Sequence, residues 1–303
     1  MQPLLVHHHL PKTAGRSLRL VLEANHGPGE LVNLTGREEE GLGLDELYRR
    51  WWRSLAEAER ATVRCVTSHT AQYLVPVVDD RPVRVFTMLR EPVERVISLV
   101  FFIRWMDENG SHSPMLAAMR ERGWQLKDVY RELGGDNDAP SDLKRLFWPL
   151  FNGQAREVAG PYVDWAAPAF RAGAGGLDSL REVADGLLAK RYVVGVSERF
   201  SQSLRLFADT FGWRRTFIPH VNVQPYGSTR SEIDEETRSL IRTYNGVDAE
   251  LHDRHLATLS GRPAVSRRRD LEWRARRRGR REIGRVRRVG RRLVGGGRHV
   301  RGD

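Results

Sequence analysis

The chain has 303 residues, 40% of them hydrophobic, and a formal net charge of +11, which suits one large soluble domain with a full core. A single cysteine, Cys65, excludes an intramolecular disulfide, and no run approaches the roughly 20 apolar residues that span a bilayer. Residues 262–303 hold 17 arginines against 4 acidic residues, more than the whole chain's excess, so residues 1–261 are close to neutral and an electrostatic partner is expected only at that end.

In chain order, short apolar or β-branched runs predict strands over Leu4–His9, Val63–Thr67, Val83–Leu89 and Tyr192–Val196. Apolar residues at three- and four-residue spacing predict helices over Leu44–Glu59, Pro92–Met106, Ser113–Arg122, Leu177–Lys190, Ser201–Phe211 and Ile233–Tyr244, with another starting near Ser17. Gly134–Ser141 and Gly173–Gly176 read as loops. Strands alternating with helices predict an α/β fold: a central parallel sheet flanked by helices on both faces, P-loop-like, forming one domain over residues 1–261. Residues 262–303 are expected to be a disordered arm or a basic helix that contacts anionic membrane or nucleic acid weakly. Without a basic leader and a long apolar run at its start, the chain is read as cytoplasmic.

Two segments carry the chemistry. The first is the turn "PKTAGRSL" after the first strand, where a loop entering a helix gathers backbone N–H groups and the positive end of the helix dipole, a setting for phosphate or sulfate. It lacks the paired glycines and the adjacent Lys-Ser of a nucleotide P-loop. Lys12 opens it in a chain with only four lysines, and a compact ammonium can approach a bridging oxygen and give up a proton as an arginine cannot. Gly15 relieves crowding and Ser17 stands at the helix start. The second segment is "LREPVERVIS", where Arg90 ends a strand and can fork onto a phosphate, with Ser98 two turns into the next helix as a hydroxyl donor. Phe101, Phe102 and Trp105 extend an apolar helix face and are read as core. His7 to His9 are read as strand histidines packed near the sheet end, with only His7 and His9 on one face.

Together the two segments resemble the 5′-phosphosulfate loop and the 3′-phosphate segment of sulfotransferases that use 3′-phosphoadenosine 5′-phosphosulfate (PAPS). "FNGQAREVAG", "YVVGVSERFSQSLRLFADTFGW" and "HVNVQP" are similar to downstream stretches of the carbohydrate-type branch, which includes the heparan sulfate 2-O-sulfotransferases. The resemblance spans roughly residues 3 to 260. It implies sulfonyl transfer from PAPS to a hydroxyl of a glycan or small-molecule acceptor, with no metal. Lys12, Thr13, Ala14, Gly15, Arg16 and Ser17 would hold the 5′ end of the donor, and Arg90 and Ser98 its 3′-phosphate. Arg16 stands where members often carry a small or hydroxyl residue. His69, within "CVTSHTAQYL", follows a predicted strand; an imidazole there can accept an alcohol proton, and the pattern His-x-x-x-Tyr-Leu resembles the family's catalytic-histidine segment. Lys12 would serve the leaving phosphate. Glu91 is a second candidate base, otherwise a partner for a helix start.

Two other function classes are expected to leave different signs. A Mg-ATP-dependent small-molecule kinase shares the strand-turn-helix architecture but needs a Walker-type loop and a metal-binding carboxylate. A non-enzymatic binder would act through the Arg-rich end alone.

Overall fold

The computed structural model describes residues 2–35, 43–134, 141–162, 174–217 and 233–265. Among the described residues five strands form one sheet: β1 (Leu4–His8), β2 (Leu31–Asn33), β3 (Cys65–Ser68), β4 (Val83–Leu89) and β5 (Tyr192–Val196). All pairings are parallel and the order is β2-β3-β1-β4-β5. Twelve α-helices accompany them among the described residues: α1 (Gly15–Asn25), α2 (Leu44–Ser54), α3 (Glu57–Thr62), α4 (Pro92–Glu108), α5 (Pro114–Arg122), α6 (Leu126–Leu133), α7 (Ser141–Phe147), α8 (Gly153–Ala159), α9 (Ala174–Arg191), α10 (Phe200–Phe211), α11 (Glu235–Tyr244) and α12 (Gly246–Leu259). The chain is an α/β protein.

Alternation along β1 decides which helices cover which face. Leu5 packs with Leu18, Val21 and Leu22 of α1 and Leu204 and Phe207 of α10. Leu4 and Val6 turn the other way, onto Tyr48 and Trp52 of α2. With both faces covered, β1 and β3 are buried along their whole length and β4 from Val85 onward, which is why the apolar part of each run is legible. A second helical layer, α4, α5, α6 and α11, packs around Val96, Val100, Val129, Tyr130 and Ile241.

The predicted helix Leu44–Glu59 is two helices. Leu55 and Ala56 are extended, and the Glu59 carboxylate accepts the Ala56 N–H at 2.8 Å, so a new helix starts where the periodicity looked continuous. The helix α9 begins at Ala174, inside the predicted loop Gly173–Gly176. Residues 135–140 of the other predicted loop lie outside the described residues. No helix among the described residues is long and apolar enough to cross a membrane.

The topology fixes where a ligand crevice forms. From the carboxyl end of β1 the chain turns toward β2, on one side; from that of β4 it turns toward β5, on the other. Adjacent strands whose exits diverge leave a gap above their carboxyl ends. The turn after β1 carries Lys12 and the residue after β4 is Arg90.

Candidate active site

The β1–α1 turn is held open by its backbone. Lys12 and Ala14 both have left-handed φ, 68° and 70°, and Asn152 is the only other non-glycine of that kind among the described residues. Each such residue costs on the order of 1 kcal/mol, so the surroundings must enforce them. The Thr13 hydroxyl donates to the Leu10 carbonyl at 2.8 Å across the turn. Ala14 is the N-cap of α1 and offers no side-chain cap, so Ser17, buried in the first turn, is not the cap residue. The first N–H groups of α1 precede any intrahelical acceptor and face the turn.

Gly15 is required by a neighbour. A Cβ there would lie 1.7 Å from Nε2 of His9, whose ring rests on the glycine. The His9 ring also stacks on His69 at 4.4 Å and lies 5.5 Å from His7, the strand neighbour on the same face. Burial, then the nearby His69, Lys12 and Arg19, lower the His9 pKa to about 3, so its ring is neutral. Burial first, with His69 and His9 beyond it, also lowers that of His8 to about 3.

His69 follows β3 and is half-buried. Its Nδ1 lies 2.6 Å from the His9 carbonyl oxygen. A carbonyl only accepts, so Nδ1 carries the proton and Nε2 carries the lone pair in the neutral ring. That is the tautomer a general base requires.

Lys12 is half-buried and its Nζ stands 4.1 Å from the centroid of the Phe102 ring. Burial, Arg90 and Arg16, in that order, lower its pKa to about 8. Phe102 is one turn beyond Ser98 on α4, and residues four apart share a helix face, so the Ser98 face of α4 is turned to the Lys12 side. Ser98 itself is buried at 2% exposure. The expectation that Phe101, Phe102 and Trp105 are all core holds only for Phe101: Phe102 packs under Lys12, and Trp105, stacked on it at 6.2 Å, is 37% exposed.

Arg90 joins the two segments. One of its guanidinium N–H groups donates to the Lys12 carbonyl at 3.0 Å, and another nitrogen lies 3.7 Å from Glu94. Glu91 is occupied as the N-cap of α4: its two carboxylate oxygens accept from Val93 N–H at 3.1 Å and Glu94 N–H at 2.8 Å. Arg16 is exposed. The structure thus brings Lys12, Thr13, Ala14, Gly15, Arg16, Ser17, Arg90 and His69 to the carboxyl end of the sheet.

Two residues with a part in this geometry escaped the sequence reading: His9, read only as packed strand, and Gln154, inside "FNGQAREVAG" but given no role. Arg156 in that segment donates from Nε to the Phe151 carbonyl at 2.9 Å. "HVNVQP", with His220, lies outside the described residues, as do residues 266–303. Among the described residues no group of three or more His, Cys, Asp or Glu side chains converges as metal ligands. A cleft of about 870 Å³ opens at the opposite, amino end of the sheet, lined by Arg64, Arg84, Trp213, Arg214 and Arg215 among others, and is separate from this site.

No protein-family model matches the chain, and no curated protein does either.

Proposed function

We propose that this protein is a PAPS-dependent sulfotransferase of the carbohydrate-type branch, transferring a sulfonyl group to a hydroxyl of a glycan or another hydroxylated acceptor, on a P-loop-like strand-turn-helix. The observation that carries the reading is the 3.0 Å contact from the Arg90 guanidinium to the Lys12 carbonyl, which joins the two anion-binding segments at the gap above β1 and β4. A donor with phosphates at both its 5′ and 3′ positions asks for two cationic segments side by side.

The residues fit that donor. The turn offers first-turn N–H groups and the Lys12 ammonium, and Arg90 offers a planar guanidinium. The donor supplies an SO₃ unit, which leaves an oxygen of the 5′-phosphate and bonds to the acceptor oxygen. Lys12 neutralises charge that grows on the phosphate side; with its pKa lowered to about 8, it also holds a proton it can yield. The acceptor's proton goes to Nε2 of His69, the ring being held by the His9 carbonyl at Nδ1.

Calorimetric titration with 3′,5′-ADP, AMP and Mg-ATP tests the reading without an acceptor. Micromolar 3′,5′-ADP binding, much weaker AMP binding and no metal requirement are expected. Preference for Mg-ATP would favour the kinase reading, and absence of nucleotide binding would leave the Arg-rich end as the functional part.

A further inference from the structure

Arg90 lies one residue beyond the end of β4, where the ladder to β5 stops at Leu89. Its backbone N–H and C=O would have no strand neighbour there, and a half-buried position makes unpaired groups costly. The Gln154 side chain takes that place. Its Oε1 accepts the Arg90 N–H at 2.8 Å and its Nε2 donates to the Arg90 carbonyl at 2.9 Å. The flipped amide would set donor against donor and acceptor against acceptor, so the orientation is fixed.

Gln154 is itself held. It is 1% exposed, and so is Asp248 on α12. The Asp248 carboxylate accepts the backbone N–H groups of Gln154 at 3.0 Å and Ala155 at 2.8 Å, closing the first turn of α8 from a different helix. The Asp248 N–H donates to Oδ1 of Asn152 at 3.1 Å, and the Asn152 N–H donates to Oδ1 of Asn245 at 2.8 Å. The negative charge of Asp248 also favours the charged form of Arg156, which burial opposes. A closed buried network of this kind allows one arrangement, and its outer end is the backbone of Arg90.

We propose that Gln154 is a positioning residue for anion binding: clamped by Asp248, it sets the backbone of Arg90 and hence the direction of the guanidinium. The proposal rests on the sulfotransferase reading for the identity of the anion, the 3′-phosphate.

The test is calorimetry of the full chain and its Gln154→Met variant with 3′,5′-ADP and with AMP, which lacks the 3′-phosphate, alongside melting temperatures. The methionine keeps length and removes both hydrogen bonds to Arg90, along with the longer one, 3.4 Å, from Nε2 to Asp248. About a tenfold loss for 3′,5′-ADP, with AMP within about twofold of the unsubstituted protein, is expected. Equal losses for the two nucleotides, or unchanged affinity for both, overturn the assignment, because a merely structural residue has no preference for the 3′-phosphate. Should the methionine variant not fold, Gln154→Asn, which stays neutral but is one methylene too short to reach both Arg90 backbone groups from the same backbone position, decides by the same comparison. Failure of the underlying reading is visible beforehand: unsubstituted protein that does not prefer 3′,5′-ADP to AMP overturns the site reading and this assignment together.

Discussion

The Arg90 guanidinium donates to the carbonyl oxygen of Lys12, a residue 78 positions earlier in the chain, and thereby bridges the exits of two neighbouring strands. Arg90 is thus a strut for the turn that holds Lys12, and under the proposed function it would also contact the anion. Arg90→Ala is expected to weaken 3′,5′-ADP by about 100-fold and AMP by a smaller factor, since both the phosphate contact and the strut are lost. Arg90→Lys should recover little, as an ammonium cannot reach both partners at once. Titration of the two nucleotides against each variant checks this.

His69 should separate binding from turnover. His69→Ala is expected to reduce kcat by about 10²- to 10⁴-fold while the 3′,5′-ADP affinity stays near that of the unsubstituted protein. Turnover of His69→Ala equal to that of the unsubstituted protein, measured as radiolabelled sulfonyl transfer to a good acceptor, would remove His69 from the role of base.

Gly15 and His9 form a pair that a double-mutant cycle can isolate. Gly15→Ala puts a methyl group where Nε2 of His9 lies 1.7 Å away, and the ring is confined by its stack on His69. We expect a loss of about 1–3 kcal/mol in urea unfolding. His9→Ala in the same chain should return most of it, and additive losses would show that the crowding lies elsewhere.

The Lys12 amine gives a pH signature. Its pKa is lowered to about 8, so in the free protein at pH 8 it is about half protonated. A bound anion raises that pKa, so binding takes up protons and the affinity for 3′,5′-ADP falls as pH rises through about 8. The phosphates, with a second pKa of about 6, are already ionised there and contribute little. Calorimetry at pH 8 in buffers of different ionisation heat should show uptake of about half a proton, lost in Lys12→Gln.

The sheet is largely legible because strands buried on both faces carry short apolar runs, Leu4–Val6 in β1 and Val85–Phe86 with Met88–Leu89 in β4, although polar residues interrupt them. The strand β2 is three half-buried residues at the sheet edge, too short to make a run. The helix α12 was missed because it opens on Asn245-Gly246, a turn signal, and buries Asp248 and His252 where periodicity would ask for apolar residues. The polar part of the site was legible only in segments with a recognisable pattern. Contacts such as Gln154 to Arg90, 64 residues apart, follow no local periodicity. The ring of His9 over Gly15 likewise depends on the path of the turn, and the sequence showed only that something crowds there.

The strand β1 is central in the sheet yet comes first in the chain, and its two neighbours lie far downstream: His7 bonds to Thr67, 60 residues on, and Thr87 bonds to His8 across a separation of 79. During synthesis on the ribosome β1 must therefore wait 60 residues for a partner on one edge and 79 for the other. Pairings of such separation close slowly, and an uncovered apolar strand is open to association with other chains meanwhile. The yield of active protein should thus respond to elongation rate and chaperone supply, even with every residue of the Lys12 turn intact.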